Sequence, residues 1–255
     1  MRICLIGSGN VATHLGIALS EKGHQIVQVW SPTAKHAEIL ATKLNCPFTT
    51  QTDSITLECD IYLISIKDNT ITTLLPEIKW KNKLVLHTAG SISMEILAPY
   101  CQNFGVLYPF QTFSAGKKID FDQVPFYIES NSPQNLEVIN RLAQSLSHRV
   151  TPLDSTRRQQ IHLAAVFACN FVNHFYAIAK ELLGESGIDF EILKPLILET
   201  ANKVISQSPE SSQTGPAIRN DKVVMEKHLA MLNSHPDLKE LYEQISKRII
   251  QTHIH

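Results

Sequence analysis

"CLIGSGNVATHLG" runs from Cys4 to Gly16, and its reading decides the fold. Three apolar residues, Cys4, Leu5 and Ile6, lead straight into Gly7-Ser8-Gly9, and a helical pattern begins at once. The order is G-x-G-x-x-A, with Ala12 as the last small residue. Glycines at this spacing also mark ordinary turns. Here they follow a first strand and open a first helix, which is the position a dinucleotide site requires. Gly7 permits the tight turn, Gly9 lets a pyrophosphate approach the backbone, and Ala12 lets helix and sheet pack closely. The helix N-terminus then offers unpaired N–H groups and positive potential to phosphate. Gly7, Ser8, Gly9, Asn10, Val11 and Ala12 are therefore the expected cofactor-binding turn.

Outward from this turn the chain alternates short apolar runs with helical patterns. Strands are expected at 3–6, 25–30, 61–66 and 84–87, with helices at 11–22, 33–44 and around 70–78 between them. Strands separated by helices of this length imply βαβ crossovers and a parallel sheet. The strands are continuously apolar, as expected when both faces are covered by helices. Two more strands ("NFGVLYPF", "VPFYIES"), a helix over 133–146 and the strand "HRVT" close this half. From about Asp154 no strand signal remains. Helices are expected at 156–183, 188–207, 221–232 and 237–251, with a loop at "SPESSQTGP". The fold class is thus α/β, a mostly parallel sheet with helices on both faces, followed by an all-α domain. The expected domains are 1–153 and 154–255.

The end of the second strand speaks to which dinucleotide is bound. An NAD site usually carries an acid there to accept the ribose hydroxyls. "WSPTAKH" has none, and offers Ser31, Thr33 and Lys35 instead. Hydroxyls and a cation suit a 2′-phosphate, so NADP(H) is expected over NAD(H).

The chain has 255 residues and a formal net charge of −1, which excludes the basic excess of a nucleic-acid surface. Five scattered cysteines without a Cys-x-x-Cys pair argue against a disulfide framework or zinc knuckle. None of the eleven histidines shows zinc-helix spacing, so no metal is expected. The closing "THIH" reads as a solvated tail. No apolar run reaches the roughly 20 residues of a membrane span, and no signal peptide precedes the first strand. A cytoplasmic protein without membrane contact is expected.

Two further loops lie at strand ends, where open α/β sheets bind ligands. "SIKDNT" supplies Ser65, Ile66 and Lys67 toward the cofactor, with Asp68 or Asn69 expected to cap the next helix. "HTAGS" supplies Thr88 and Ala89, with His87 beside them as a candidate acid. "YPFQTF" places Gln111 and Thr112 among aromatics as candidate substrate contacts. On the long apolar helix, "IHLAAVFACNFVNHF" puts His162, Cys169 and Asn173 on one face by i, i+7, i+11 spacing, with Asn170 to one side. These polar groups serve either a satisfied core network or a substrate. "QTGPAIRND" offers Thr214 and Arg219 to a carboxylate, or Arg219 to an ion pair, with Asn220 or Asp221 as a helix cap. His228, further on, reads as core or as lining the same cleft.

Together, "GSGNVA", "HTAGS", "YPFQTF", "HLAAVFACNFVNH" and "TGPAIRNDKVVMEKHL" resemble a family of short-subunit, dehydrogenase-like oxidoreductases. These join a Rossmann-like NADP-binding domain to a helical C-terminal domain of unknown function. The family resembles pyrroline-5-carboxylate reductase, ketopantoate reductase and the β-hydroxyacid dehydrogenases. The resemblance implies a homodimer through the helical domain and a small-molecule substrate. One departure stands out. β-Hydroxyacid dehydrogenases carry a catalytic lysine four residues before an asparagine on this helix. If Asn170 is that asparagine, Val166 holds the lysine's place, and no lysine lies between Arg158 and His174. Proton donation to an alkoxide then falls to His162 first and His87 second, with Asn170 or Asn173 orienting the substrate; an imine substrate needs less acid. Two functions remain: an NADP-dependent oxidoreductase acting on a small carbonyl or imine acid, or a non-catalytic, NADP-responsive regulatory protein.

Overall fold

The computed structural model describes residues 1–80 and 82–253, so Ile254 and His255 of the expected tail lie outside the described residues. Two compact units emerge, Met1–His174 and Phe175–His255.

The first unit is built on an eight-stranded sheet: β1 (Arg2–Ile6), β2 (Gln25–Trp30), β3 (Phe48–Thr49), β4 (Ile61–Ile64), β5 (Leu84–His87), β6 (Asn103–Pro109), β7 (Phe126–Ser130) and β8 (Val150–Pro152). The spatial order is β3-β2-β1-β4-β5-β6-β7-β8. All pairings are parallel except β6 with β7. The chain leaves β1 toward β2 and returns to its other side with β4. This makes β1/β4 the switch point, where a crevice opens at the strands' C-terminal ends.

Alternation along each strand divides two cores. Ile3 and Leu5 of β1, Ile61 and Leu63 of β4, and Leu84 and Leu86 of β5 face one core. Cys4 and Ile6, Tyr62 and Ile64, and Val85 face the other. The helices α1 (Asn10–Glu21), α2 (Ala34–Leu44) and α4 (Pro133–Gln144) cover the first face; α3 (Asp68–Leu74) covers the second. Each fully buried leucine or isoleucine contributes about 1.5–3 kcal/mol. Helix α4 starts as its sequence dictates, with Pro133 in the first turn and the Ser132 hydroxyl accepting from the Asn135 N–H at 3.2 Å.

Strands end at Pro152, but the first unit continues through His174, because the next helix is tied into it by Arg158, Gln159 and His162. That helix, Ser155–Glu185, departs from the sequence reading. It comprises α5 (Ser155–Ala165), a π-helical segment (Val166–Phe171) and α6 (Val172–Glu185). A π turn takes more residues than an α turn. Residues beyond it are rotated off the face that regular spacing assigns to His162, Cys169 and Asn173. By length and composition alone this helix would also pass for a bilayer span, its most apolar 18-residue window having a mean hydropathy of 1.4, although His162, Asn170, Asn173 and His174 interrupt its apolar run.

The second unit is helical. It contains α7 (Lys194–Ser206), α8 (Pro209–Ser212), α9 (Lys222–Met231) and α10 (Pro236–His253), together with α6 from Phe175 onward. The short α8 lies in the stretch read as loop, started by the Ser208 hydroxyl accepting from the Ser211 N–H. Asp221 caps α9, accepting from the Val224 N–H at 3.2 Å, while Asn220 turns the chain at φ +49°. Lys67, not Asp68 or Asn69, occupies the cap of α3.

Candidate active site

The two glycines of the first turn do different things. Gly7 has φ +122°, and a Cβ there would lie 2.3 Å from the Ser65 carbonyl oxygen. Its N–H donates to the Trp30 carbonyl at 2.7 Å. Glycine is needed because β1 turns away directly against the end of β4. A Cβ on Gly9 would meet nothing within 4 Å. Gly9 is the cap of α1 and supplies no side-chain acceptor, so the N–H groups of the first turn face open space. That combination of open approach and orphan donors fits a diphosphate.

Around the turn, the Ser8 hydroxyl donates to Ser31 at 2.8 Å, which ties the buried Ser31 to the glycine loop. Thr33 and Lys35 are exposed at the start of α2. The Asn10 amide donates to the Phe113 carbonyl, and the His14 ring to the Ser114 carbonyl, each at 3.0 Å. These bonds lay the loop after β6 over the start of α1. Within that loop Gln111 and Thr112 bond each other, Oε1 accepting from the Thr112 N–H at 2.8 Å.

At the next strand ends the buried hydroxyls of Ser65 and Thr88 lie 3.0 Å apart. Ile66 packs on the second core, and Lys67 is exposed. Ser91 donates to the Asp68 carboxylate, which joins the two expected cofactor loops. His87 is fully buried at the end of β5, its Nδ1 accepting from the Ala89 N–H at 3.2 Å and its Nε2 without a partner. Burial first, and the nearby Arg158 guanidinium second, push its pKa down to about 3. A neutral ring sealed from solvent suits a role in holding the loop.

His162 is placed otherwise. It is half-buried, and its Nδ1 lies 3.0 Å from the Tyr108 hydroxyl at the end of β6. Gly90 of "HTAGS" faces both: a Cβ there would come 2.5 Å from His162 Nδ1 and 2.7 Å from Tyr108 Cζ. Beneath them Arg158, fully buried, donates to the Glu129 carboxylate, the Ile92 carbonyl and the Ser155 hydroxyl. Glu129 also accepts from the Ser155 N–H at 2.9 Å and hydroxyl at 2.7 Å. This knot fastens α5, β7 and the loop after Gly90 to one another. Tyr108, Arg158 and Glu129 escaped the sequence reading. A lone tyrosine in an apolar strand and a charge in the first turns of a helix look like packing and solvation.

Asn170 and Asn173 are both exposed, on either side of the end of the π segment, so neither belongs to a buried core network. In the second unit Thr214 and His228 line one cavity of about 310 Å³, walled by Phe175, Leu241, Ile245 and other apolar groups. There His228 Nδ1 lies 2.9 Å from the Tyr242 hydroxyl. Arg219 is exposed and forms no ion pair among the described residues.

Residues 2–90 match the family described as NADP oxidoreductase coenzyme F420-dependent, and residues 124–249 match a domain of unknown function, DUF2520. No curated protein matches the chain. Among solved structures, 1-pyrroline-5-carboxylate reductase from Streptococcus pyogenes covers 98% of both chains at 16% identity with a TM-score of 0.63. An imine reductase from Myxococcus stipitatus, in complex with NADP+, covers 99% of this chain and 95% of its own at 16% identity with a TM-score of 0.71. Both share the fold. A Bacteroides fragilis protein assigned as an NADP oxidoreductase superposes with a TM-score of 0.94. With 43% identity over 98% of both chains, the present protein belongs to the NADP oxidoreductase family of that Bacteroides fragilis relative.

Proposed function

We propose that the protein transfers a hydride between NADP(H) and a small carbonyl or imine acid. The observation that carries this reading is His162, half-buried and fastened beside Gly90 at the C-terminal ends of the parallel strands, in the unit that holds the open turn at Gly9. The first-turn N–H groups of α1 hold the diphosphate, and Thr33 and Lys35 hold the 2′-phosphate. Ser65 and Thr88 lie along the cofactor loops. The nicotinamide supplies or accepts the hydride when bound. His162 holds the proton that the reduced oxygen or nitrogen takes up. Solved imine and pyrroline-carboxylate reductases with this fold favour an imine within that class.

We further infer a homodimer. Leu163, Phe167 and Phe171 form an exposed stripe on the long helix, with Phe167 62% exposed. None of the most apolar window of that helix is buried. A stripe of this kind needs cover, and a second copy of the chain supplies it.

The absent lysine favours a second reading, a regulatory protein that binds NADP without turning it over. Oxidation of NADPH against a panel of keto acids and cyclic imines separates the two. Turnover with a member of the panel is expected, and His162→Ala should cut it about a hundredfold while NADPH affinity stays intact. Tight NADPH binding without oxidation of any member would establish the regulatory reading instead. Gly9→Val should abolish NADPH binding with an unchanged melting temperature, because the added side chain meets only the space proposed for the diphosphate. Unchanged affinity would remove the cofactor assignment.

A further inference from the structure

We propose that Tyr108 is a positioning residue that sets the tautomer of His162, holding Nδ1 as an acceptor in the neutral ring and leaving Nε2–H as the proton-bearing edge. This rests on the reading of His162 as the proton-holding group, and adds the residue that decides which of its nitrogens faces the chemistry.

Three segments trap the ring. Tyr108, at the end of β6, meets it edge to face, with centroids 6.0 Å apart and planes at 68°. Gly90 leaves no room for the imidazole to slide toward the "HTAGS" loop, since a Cβ would already collide with it. Arg158, one turn earlier on α5, anchors the helix. Tyr108 is itself held: its ring packs edge to face on Phe110, which packs the same way on Tyr127.

The direction of the hydrogen bond follows from the groups present. The Tyr108 hydroxyl has one partner among the described residues, His162 Nδ1 at 3.0 Å. Were Nδ1 to carry the hydrogen of the neutral ring, the phenol proton would be left buried without an acceptor, which costs about 1–3 kcal/mol. Burial pushes the Tyr108 pKa up to about 12; Tyr127 and Asp68 act in the same direction and Arg158 opposes. The phenol therefore keeps its proton across the working range and has it to donate. Nε2 of His162 makes no hydrogen bond to any described residue, so it is available outward.

The same hydroxyl serves the charged ring. In the imidazolium both nitrogens carry hydrogen, and the phenol turns to accept from Nδ1–H. When the Nε2–H bond breaks, its proton passes to the substrate oxygen or nitrogen. The ring is left neutral with its hydrogen on Nδ1, the placement that leaves the phenol proton without an acceptor. Nε2 then takes a proton from solvent and Nδ1 releases one, which returns the neutral ring to the tautomer that Tyr108 selects; tyrosine never ionises. A histidine without this partner would divide its neutral population between two tautomers, only one of which presents N–H outward.

Tyr108→Phe removes the hydroxyl and keeps the ring, so the packing on Phe110 survives. The test is the ¹⁵N resonances of His162 at a pH where the ring is neutral, in the intact protein. Wild type should show a single acceptor-type Nδ1 and a protonated Nε2; Tyr108→Phe should show averaged signals for both nitrogens. Equal signals in the two proteins, or a protonated Nδ1 in wild type, would overturn the assignment. If no substrate is found, the proposed reaction fails while the ¹⁵N signals still decide the role of Tyr108.

Discussion

The strands up to Pro152 and the helices from Ser155 onward hide their apolar residues differently. In the sheet, Ile3, Leu5, Leu63, Val85, Leu86 and Phe126 are fully buried, and each has a place in one of two cores. From Ser155 onward the buried apolar residues among those described are Ala217 and Leu232, both in turns, while Leu198, Ile205 and Met231 stand largely in solvent. The difference is one of self-sufficiency. A sheet covered on both faces completes its core within one chain. Helices that are apolar on several sides complete theirs only against further protein.

That contrast predicts where stability resides. The largest effect is expected from Glu129→Ala, inside the self-sufficient region. The variant leaves the fully buried Arg158 guanidinium without its counter-charge, with its Nε already lacking a partner. Loss of one member of such a pair costs about 3–5 kcal/mol. Urea denaturation should show this loss, and it should not depend on protein concentration. A loss below about 1 kcal/mol would mean that the knot at Arg158 is as well solvated as a surface pair.

Next comes Phe167→Asp, in the region that is not self-sufficient. The side chain is mostly exposed, so the change should leave the sheet intact. In a dimer covered along Leu163, Phe167 and Phe171, a charge there should weaken association about a hundredfold or more, about 2.7 kcal/mol. Sedimentation equilibrium reads this directly. A wild-type chain that is monomeric, or that floats with lipid vesicles, would show that something other than a second copy covers the stripe.

The same contrast explains what could be read without coordinates. The strands, the crossovers and the glycine turn were legible because their signals are local: an apolar run, a turn residue, a period. Strand β2 falls on the expected residues Gln25–Trp30, and α1 within one residue of expectation. The two-residue β3 is too short for any period to register. The π segment was invisible because the spacing that assigns faces assumes α geometry throughout. The Tyr108–His162 pair joins residues 54 apart, and the Arg158 knot joins α5 to a strand and a loop. Only the folded sheet brings those side chains together. Asp68 looked like a helix cap because its local setting allows one; its carboxylate goes to Ser91, 23 residues away.

The smallest effect separates a histidine that belongs to the self-sufficient core from one that serves its surface. His87 and His162 both stand near Gly90, yet His87 is fully buried and its pKa is lowered from 6.5 to about 3. The unfolded chain therefore binds a proton that the folded one refuses between those two values. Stability due to this group is complete above about pH 6.5 and falls as pH drops toward 3, by up to about 1.4 kcal/mol per pH unit. His87→Asn offers a side-chain oxygen in place of Nδ1 to accept from the Ala89 N–H, and has no proton to take up. Urea denaturation at pH 5 and 6, values within that window, should show a shallower pH dependence in the variant than in wild type. Parallel curves would mean that His87 already reaches solvent in the folded protein. That would return it to the groups able to exchange a proton beside Gly90, and the division of labour between the two histidines would have to be redrawn.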